Sequence, residues 1–521
     1  MVATSAARAP RTPATTRRAP LLPPLPGDRA WGWLGPGLVT LLAAYLRFDR
    51  LALPRAVIFD ETYYAKDALA LLRFGHERAT VDVARANAAL LAGRDDIWAS
   101  GPAFVVHPPV GKWMIAVGEQ LFGVGSFGWR FSAALVGSLS VLVLARTARR
   151  MTRSTLLGSA AGLLLALDGL HFVHSRIAML DIFVMFWIVA AFGCLVVDRD
   201  TGRARLAAAL EGQAAGFDRG GPRLGVRWWR VGAGACLGLA LGTKWSAAFY
   251  VVAFAALAFA WDVGARRAAG SRAPLRAALR RDALPVVLAL GLLPATVYVA
   301  SWGGWFATGG GWDRQWADGR TTSWPFVPAA LRSWWHYHAE IYHFHITLEA
   351  KHPYESSPFG WLALVRPVSY FYTSPRLGHL GCTADTCARE VLAIGTPAIW
   401  WAAIPALVAM AWLWVSRRDW RAAAVLVGVG AGWLPWFATP GRTMFLFYAL
   451  PMLPFLVLAV TLGIGMLLGS PGTRRRRWAA AATGAYLVVV VLNFFYLYPV
   501  LAARVLPYAQ WRARMWLSSW I

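Results

Sequence analysis

Long apolar runs alternate with polar connections along most of the chain. Runs of roughly 17–25 apolar residues are long enough to cross a bilayer as helices, and they must be helical because lipid offers the backbone no hydrogen-bond partner. We predict spans at 31–46, 131–144, 155–171, 178–197, 231–243, 247–263, 284–302, 394–415, 422–437, 443–468 and 478–497. The pattern predicts an all-α polytopic membrane protein with about 11 transmembrane helices.

Four regions follow from this pattern. Residues 1–30, rich in Arg, Pro, Ala and Thr, cannot bury a core and are predicted to form a disordered cytoplasmic tail. Residues 31–302 are predicted to form an N-terminal transmembrane catalytic module that contains a long polar loop at 47–129. A second long loop covers 303–389, and residues 390–521 form a C-terminal transmembrane module.

The distribution of charge predicts the orientation in the membrane. The chain has 521 residues and a formal net charge of +26, carried mostly by arginine. Arginine clusters occupy every second connection between apolar runs, and the sequence shows no basic stripe on a soluble domain. This alternation predicts a cytoplasmic amino terminus and an extracytoplasmic carboxyl terminus. Both long loops then face outward, and nucleic-acid binding is not favoured.

The cysteines fall into two pairs. Cys194 and Cys236 lie inside apolar runs and are interpreted as small buried residues. Cys382 and Cys387 lie in the second outward loop, where an oxidising compartment would allow a disulfide bond. Two free thiols are the alternative, and the spacing does not match the usual zinc pairs.

The first outward loop holds the first candidate chemistry. Asp60 and Glu61 lie just beyond the first predicted span, near the membrane surface. A carboxylate near apolar surface is desolvated, which raises its pKa and makes it a better base; an ordinary solvated pair is the alternative. His107 and Lys112 flank two prolines at the start of an amphipathic segment, 110–122. Lys112 either binds a phosphate or lipid head group, or extends its stem along the interface.

Further charged residues stand at the outward ends of apolar runs. They are Arg130, Arg176, Asp181, Lys244 and Arg442. A charge at such an edge is costly and usually has a partner or a task, although an arginine at a helix end can also simply reach the head groups. No nucleotide-binding or Ser/His/Asp motif is visible. Acids, a lysine and arginines that face outward favour a phosphorylated lipid as substrate.

The second outward loop contains a group of histidines beside one acid. The group comprises His336, His338, His343, His345 and Glu340. A zinc site is not favoured, because His343 and His345 would not share a helix face. The preferred interpretation is an aromatic-rich interfacial helix over 334–348, and no metal site is assigned.

An ordered set of segments resembles the protein O-mannosyltransferases of actinobacteria, membrane glycosyltransferases of the GT-C fold that use polyprenyl-phosphate sugars. The segments are Asp60-Glu61, His107–Lys112, Ser175–Asp181, Gly242–Trp245, His352–Tyr354, Trp361, Arg366-Pro367 and Gly441–Tyr448. Each segment is weak alone, but together they cover nearly the whole chain in the family's order.

The resemblance implies a reaction and the residues that perform it. Mannose would move from polyprenyl-phosphate mannose to a Ser or Thr hydroxyl of an exported protein, with inversion in a single displacement. Asp60 matches the base that deprotonates the acceptor, and Glu61 matches the second acid of the motif. We assign binding of the substrate or the lipid phosphate to His107, Lys112, Arg130, Arg176, Asp181, Lys244 and Arg442. No cofactor is assigned, and dependence on a divalent cation stays open.

The resemblance also implies partners and a location. Expected partners are exported proteins rich in Ser, Thr and Pro, the lipid bilayer and the Sec translocon. The site is expected at the outer face of the cell membrane. The loop 303–389 is too short for the β-trefoil domain that eukaryotic members insert there. The alternatives are a related transferase acting on a lipid or cell-wall glycan, and a transporter, which would need polar residues near the bilayer midplane.

Overall fold

The computed structural model describes residues 21–211, 221–469 and 474–521, so most of the predicted tail lies outside the described residues. The α-helices are α1 (Trp31–Phe48), α2 (Glu61–Phe74), α3 (Val83–Leu91), α4 (Val110–Phe122), α5 (Ser126–Thr152), α6 (Thr155–Ala166), α7 (Gly169–His174), α8 (Leu180–Ala209), α9 (Trp228–Leu241), α10 (Ala247–Ala268), α11 (Pro274–Arg281), α12 (Ala283–Val287), α13 (Leu293–Ser301), α14 (Gly303–Ala307), α15 (Ala329–Thr347), α16 (Pro397–Arg417), α17 (Trp420–Trp433), α18 (Leu453–Leu468), α19 (Arg474–Leu501) and α20 (Tyr508–Arg512). The strands are β1 (Arg78–Thr80), β2 (Trp98–Pro102), β3 (Val368–Thr373), β4 (Cys387–Ala393) and β5 (Val505–Pro507).

Eight helical segments in the described part of the chain are long and apolar enough to cross a membrane. They are Ser126–Thr152, Leu180–Ala209, Ala247–Ala268, Ala283–Ser301, Pro397–Arg417, Trp420–Ala438, Leu446–Leu468 and Arg476–Leu501. Each one overlaps a predicted span, which confirms a multi-span membrane protein. The three other predicted spans coincide with the less apolar or shorter helices α1, α6 and α9, so the count of 11 stays a prediction.

The spanning helices divide into an inner and an outer group. In their most apolar stretches, α5, α8 and the segment Leu446–Leu468 are 67%, 72% and 78% buried, whereas α16 is only 28% buried. A helix that is apolar all round must be covered by other helices or by lipid. Helix α8 packs against the first turns of Leu446–Leu468, and Asp181 and Tyr448, near the two starts, line a common cavity where the candidate site lies.

Glycines allow α9 to approach the Ala283–Ser301 span closely. A Cβ atom added to Gly234 would lie 1.8 Å from the carbonyl oxygen of Ala289, and one added to Gly238 would lie 2.6 Å from Val297. Small residues of this kind let membrane helices pack backbone to backbone. The tight contact fixes the end of α9 and therefore the position of Lys244, three residues beyond it.

The first long loop folds into helices and a small sheet. The amphipathic segment predicted at 110–122 is α4, which starts directly after Pro109 and packs against α2. Gly75 ends α2 in the left-handed conformation at φ 75°. Strands β1 and β2 pair antiparallel between the helices. The loop therefore forms a structured wall beside the end of the bundle.

The second long loop contributes α15, close to the predicted interfacial helix, and part of a second sheet. Strand β4 pairs antiparallel with both β3 and β5, and the connection from β3 to β4 contains a disulfide bond between Cys382 and Cys387. The all-α prediction is correct for the membrane-spanning part and wrong for these two small sheets. The strands are only 3–7 residues long, and β5 lies near the carboxyl terminus, far in sequence from β3 and β4. No local sequence pattern therefore predicts them.

Candidate active site

A cavity of about 740 Å³ opens between the first loop, α15 and the segment that precedes Leu446. Five of the predicted site residues line it: Asp60, His107, Lys112, Lys244 and Arg442. They come from parts of the chain hundreds of residues apart, which meet only because the helix ends converge there. The cavity is thus the place where most of the predicted chemistry is brought together.

Asp60 stands at the amino-terminal end of α2, facing the cavity. Among the described residues, the hydroxyl of Tyr64 donates a hydrogen bond to Asp60 Oδ2, at 3.4 Å. Burial raises the pKa of Asp60 to about 6, with Lys244 opposing the shift and Asp181 adding to it. At neutral pH this carboxylate is mostly ionised and more basic than an exposed aspartate, as a general base requires.

The backbone before Asp60 is held in a strained conformation. Phe59 has φ 49°, in the left-handed region that bulky side chains rarely adopt. Its ring packs against those of Tyr370 and Phe447, with centroid distances of 4.5 and 5.9 Å. Strain of this kind persists only where the surroundings over-determine it, so the aromatic contacts set the direction of Asp60.

Lys244 and Asp181 form a buried ion pair at the cavity. The distance from Lys244 Nζ to Asp181 Oδ2 is 2.8 Å, and both side chains are nearly inaccessible. The ammonium group also lies 5.7 Å from the ring of Tyr448. An ammonium group has three N–H donors. One reaches Asp181, which leaves donors for an anion in the cavity.

Arg442 is oriented by His345. The Nε2 atom of His345 lies 3.1 Å from the carbonyl oxygen of Val106 and donates to it, so Nδ1 accepts from Arg442 Nη2 at 3.3 Å. Burial, reinforced by the charge of Arg442, lowers the pKa of His345 to about 4. The imidazole is therefore neutral, and as a hydrogen-bond acceptor it orients the guanidinium group of Arg442 at the cavity wall.

His107 lines the same cavity, and one of its ring nitrogens is available to donate or accept a hydrogen bond. Its Nδ1 atom is buried and has no hydrogen-bond partner among the described residues. Its ring lies 5.5 Å from that of His345, and burial together with the charge of Lys244 lowers its pKa well below the usual value. A buried polar atom without a partner is costly, and a bound substrate would satisfy it.

A second cavity of about 250 Å³ adjoins the first. The two share His107, Lys244, His345, Arg442 and Tyr448. The rest of its wall is mostly apolar or aromatic: Trp245, Phe249, Tyr342, Ile346, Pro435, Trp436 and Pro451. A polar group at the junction would therefore have a mainly apolar space on one side and Asp60 on the other.

Glu61 and Arg130, both predicted site residues, lie outside the cavity lining. They form a two-point ion pair with N–O distances of 2.7 and 2.8 Å, and both are fully buried. Glu61 also accepts from the backbone N–H groups of Ile58 and Ala178, each at 3.1 Å. These contacts tie the turn before α2 to α5 and to the start of α8.

Arg176 and Lys112 are likewise bound within the protein. Arg176 donates to the carbonyl oxygens of Leu46, Arg47, Asp49 and Arg50, which closes the carboxyl end of α1. Lys112 is fully buried, pairs with Glu77 and lies 3.9 Å from Asp67. It lines the cavity, but its charge is already neutralised.

Comparison with known proteins decides the family. Residues 37–301 match the dolichyl-phosphate-mannose-protein mannosyltransferase family, and residues 330–520 match the C-terminal four-TMM region of protein-O-mannosyltransferase. The polyprenol-phosphate-mannose–protein mannosyltransferase of Mycobacterium tuberculosis is 45% identical over 95% of this chain and 93% of its own. This chain belongs to the protein mannosyltransferase family.

Other members and a solved structure agree with this assignment. The likewise named enzyme of Corynebacterium glutamicum is 33% identical to this mannosyltransferase over 96% of both chains. A chain of the Saccharomyces cerevisiae protein O-mannosyltransferase Pmt1-Pmt2 complex bound to the sugar donor superposes with a TM-score of 0.69, covering 94% of this chain and 92% of that one. Sequence identity there is 15%, so the likeness establishes the fold, and the predicted GT-C fold is confirmed.

Sequence reasoning missed several residues of the mannosyltransferase's cavity. His345 was considered only as a metal ligand, whereas it orients Arg442. Tyr64 and Tyr448 were not singled out, although Tyr64 lies four residues after Asp60 and an i, i+4 spacing on a helix would have found it. Asp67 also lines the cavity, and burial raises its pKa to about 7. Tyr448 ends the matching segment Gly441–Tyr448, but the segment does not indicate which of its side chains faces the cavity.

Proposed function

We propose that this chain transfers mannose from polyprenyl-phosphate mannose to the hydroxyl of a Ser or Thr residue in an exported protein. The observation that carries the proposal is the meeting of two cavities at Lys244 and Arg442, with Asp60 in only one of them. Family membership supports the donor, because the M. tuberculosis relative has polyprenol-phosphate-mannose in its name.

The donor occupies the junction of the two cavities. Its phosphate binds Lys244 and Arg442, and the first part of its prenyl chain runs along the mainly apolar wall of the smaller cavity, beside Phe249. Arginine offers a planar pair of donors that suits phosphate oxygens, and lysine adds a point charge. As the sugar leaves, negative charge grows on the phosphate, and these fixed cations stabilise it in a site with little water.

The acceptor enters the larger cavity beside Asp60. The carboxylate takes the proton of the hydroxyl while the hydroxyl oxygen attacks the anomeric carbon from the face opposite the phosphate. The bond between that carbon and the phosphate oxygen breaks, and polyprenyl phosphate leaves with the bonding electrons. One displacement inverts the anomeric centre, and the proton ends on Asp60.

Four other predicted residues position this machinery. Asp181 holds Lys244 at 2.8 Å. The ion pair of Glu61 with Arg130 holds the turn that presents Asp60, and Arg176 closes α1 behind it. Their expected role is to fix geometry, because catalysis depends on the placement of the base and the cations.

The proposed topology has eleven spans, with α1, α6 and α9 crossing the membrane beside the eight longer segments. Support comes from the packing of α1 on α5 and α6 and from the alternation of arginine-rich connections. The amino terminus is then cytoplasmic and the carboxyl terminus extracytoplasmic. The cavity faces the outside of the cell membrane, where exported chains emerge; delivery by the Sec translocon stays a prediction.

Transfer by the purified full-length protein in lipid nanodiscs tests the proposal. Radiolabelled polyprenyl-phosphate mannose is supplied with a Ser/Thr/Pro-rich peptide, and wild type is compared with Asp60→Asn. Asp96→Asn is the matched control, because Asp96 is 61% exposed and pairs with an equally exposed Arg94. Label is expected on the peptide with wild type and Asp96→Asn, and not with Asp60→Asn.

Each other outcome is informative. If the peptide stays unlabelled, and a lipid or glycan tested in a parallel reaction takes up label, the protein is a transferase with a different class of acceptor. Full activity of Asp60→Asn would overturn the base assignment. A folded preparation that binds the donor and labels no acceptor would overturn the transfer reaction.

A further inference from the structure

Outside the catalytic cavity, Asp313, His336 and Glu340 converge between the loop after α14 and the outer face of α15. Their potential ligand atoms all lie within 4.8 Å of one another. His336 Nε2 lies 3.2 Å from Glu340 Oε1 and 3.4 Å from Asp313 Oδ2. The i, i+4 spacing puts His336 and Glu340 on one helix face, and the loop supplies Asp313 from the other side.

The two distances between His336 Nε2 and the carboxylate oxygens match the spacing of ligand atoms around a metal ion. Zinc binds imidazole nitrogen and carboxylate oxygen at about 2.0–2.2 Å in a tetrahedron, which separates neighbouring ligand atoms by about 3.3 Å. Both distances from His336 Nε2 agree with this value. Three protein ligands leave a fourth position for water.

An ion pair explains the arrangement less well. A protonated His336 has one N–H at Nε2, but both carboxylates approach this same atom. The two carboxylates would have to share this one N–H, which weakens both hydrogen bonds, and they would repel each other. A divalent cation placed between the three side chains satisfies all of them at once.

Neighbouring aromatic residues hold the ligands in this arrangement. The indole N–H of Trp312 donates to Glu340 Oε2 at 3.0 Å, which leaves Oε1 directed at His336. The ring of Trp316 stacks on that of His336, with centroids 4.0 Å apart and an angle of 10° between the planes. Asp313 adopts the left-handed conformation, at φ 47°. Metal ligands typically have such outer partners, which fix their orientation.

We propose that Asp313, His336 and Glu340 bind a zinc ion. The side chains are 35%, 25% and 37% exposed, so water and ions reach them. The ion joins the loop at 308–320 to α15, the helix that carries His345. Bound metal stabilises the folded state by mass action. The site is independent of mannose transfer, and its test needs no donor.

The experiment measures zinc binding by the full-length protein after removal of metal. Wild type, His336→Ala and Asp313→Asn are dialysed against graded free Zn²⁺, and bound zinc is counted by mass spectrometry. His343→Ala is the matched control, because His343 is an exposed histidine on the same helix outside the group. One equivalent is expected for wild type and His343→Ala, with zinc also raising their thermal unfolding midpoints.

Loss of one ligand should weaken zinc binding at least about tenfold, since even outer partners change metal affinity by 10- to 100-fold. Glu340→Gln serves as a third variant if His336→Ala does not fold, as judged by size exclusion. Absence of saturable zinc binding by folded wild type would overturn the proposal. Unchanged affinity in the folded ligand variants would overturn it as well.

Discussion

Two groups of buried charge lie beside the long helix α8, one around Asp198 in its second half and one near its amino-terminal end, and Asp198 and Asp60 differ in how fully their carboxylates are hydrogen-bonded. In the first group, the carboxylates of Asp198 and Asp262 accept five hydrogen bonds from Arg227 and Arg230, at 2.6–3.0 Å. In the second group, at the cavity, Asp60 accepts one long hydrogen bond from the described residues, from the hydroxyl of Tyr64 at 3.4 Å.

The difference separates a structural group of charges from a reactive one. A carboxylate surrounded by guanidinium groups is held in its ionised form by paired positive charge, so it is a weak base. A carboxylate at a cavity wall, partly desolvated and weakly hydrogen-bonded, keeps a raised pKa and a free lone pair. Burial of charge alone does not distinguish Asp60 from the structural carboxylates, which include Glu61 beside it; the number of hydrogen-bond partners does.

Replacing the free carboxylate should cost activity and spare stability. Asp60→Asn is expected to lower the turnover number by about 10²–10⁴-fold, the usual contribution of a general base. The unfolding midpoint should stay near that of wild type, because Asp60 gives up only its hydrogen bond from Tyr64. Initial rates and thermal unfolding of the same preparation measure both effects, and a large fall in the midpoint would contradict the distinction.

Replacing a saturated carboxylate should do the reverse. Asp198→Asn leaves Arg227 and Arg230 buried with less compensation and is expected to reduce the free energy of unfolding by about 3–5 kcal/mol. Denaturant unfolding in detergent measures the loss. Turnover per folded molecule should remain close to wild type; a selective loss of turnover would place this group in catalysis.

A milder change tests the cations at the junction. Arg442→Lys keeps a positive charge and loses the fork aimed by His345. Donor affinity or turnover should fall by about 10- to 100-fold, the equivalent of one charge-assisted hydrogen bond. Arg94→Lys, at a surface arginine 63% exposed, is the control. Equal behaviour of the two variants in donor titrations would argue against phosphate binding by Arg442.

Acidification should inactivate the enzyme through the base. As the proposed base, Asp60 would act in its ionised form, and burial raises its pKa to about 6. Activity should therefore fall by about tenfold between pH 7 and pH 5 as the carboxylate gains a proton. Asp67, whose pKa burial raises to about 7, lines the same cavity. The inflection near pH 6 should persist in Asp67→Asn, and its disappearance would assign it to Asp67.

The smallest effect is expected from a region outside both groups. Cys382 and Cys387 close a short loop between β3 and β4, so the bond constrains few conformations of the unfolded chain. Replacing both by serine should cost about 2 kcal/mol or less and leave transfer unchanged. Thermal unfolding measures the loss of stability, and peptide labelling measures transfer by the same variant. A large loss of transfer would show that this loop contributes to the function of the cavity.

Asp60 and Glu61 show that the sequence predicts an acidic pair but not the different positions of its two members. Both were assigned to catalysis as an acidic pair, yet only Asp60 lines the cavity. Helix α2 begins at Glu61, and successive residues of a helix point about 100° apart. Glu61 therefore turns inward to Arg130. The pair is visible in the sequence, and the division of roles depends on where the helix starts.

The arginines give a second example. Arg130, Arg176 and Arg442 look alike in the sequence, each at the outward end of an apolar run. The structure gives Arg130 a carboxylate and several backbone carbonyl oxygens, gives Arg176 only backbone carbonyl oxygens, and gives Arg442 a histidine beside a cavity. The guanidinium groups of Arg130 and Arg176 donate their hydrogen bonds within the protein, whereas that of Arg442 keeps N–H donors for a ligand.

The sequence by itself determined the class of protein, most of its spans and its family, and it singled out Asp60 as the candidate base. These properties rest on local composition, on the length of apolar runs and on ordered motifs, all of which persist in an unfolded chain. Only the tertiary structure decided which buried charges neutralise one another and which face a cavity. That outcome depends on contacts between residues far apart in the chain, and a charge becomes reactive or inert according to the partners that folding brings to it.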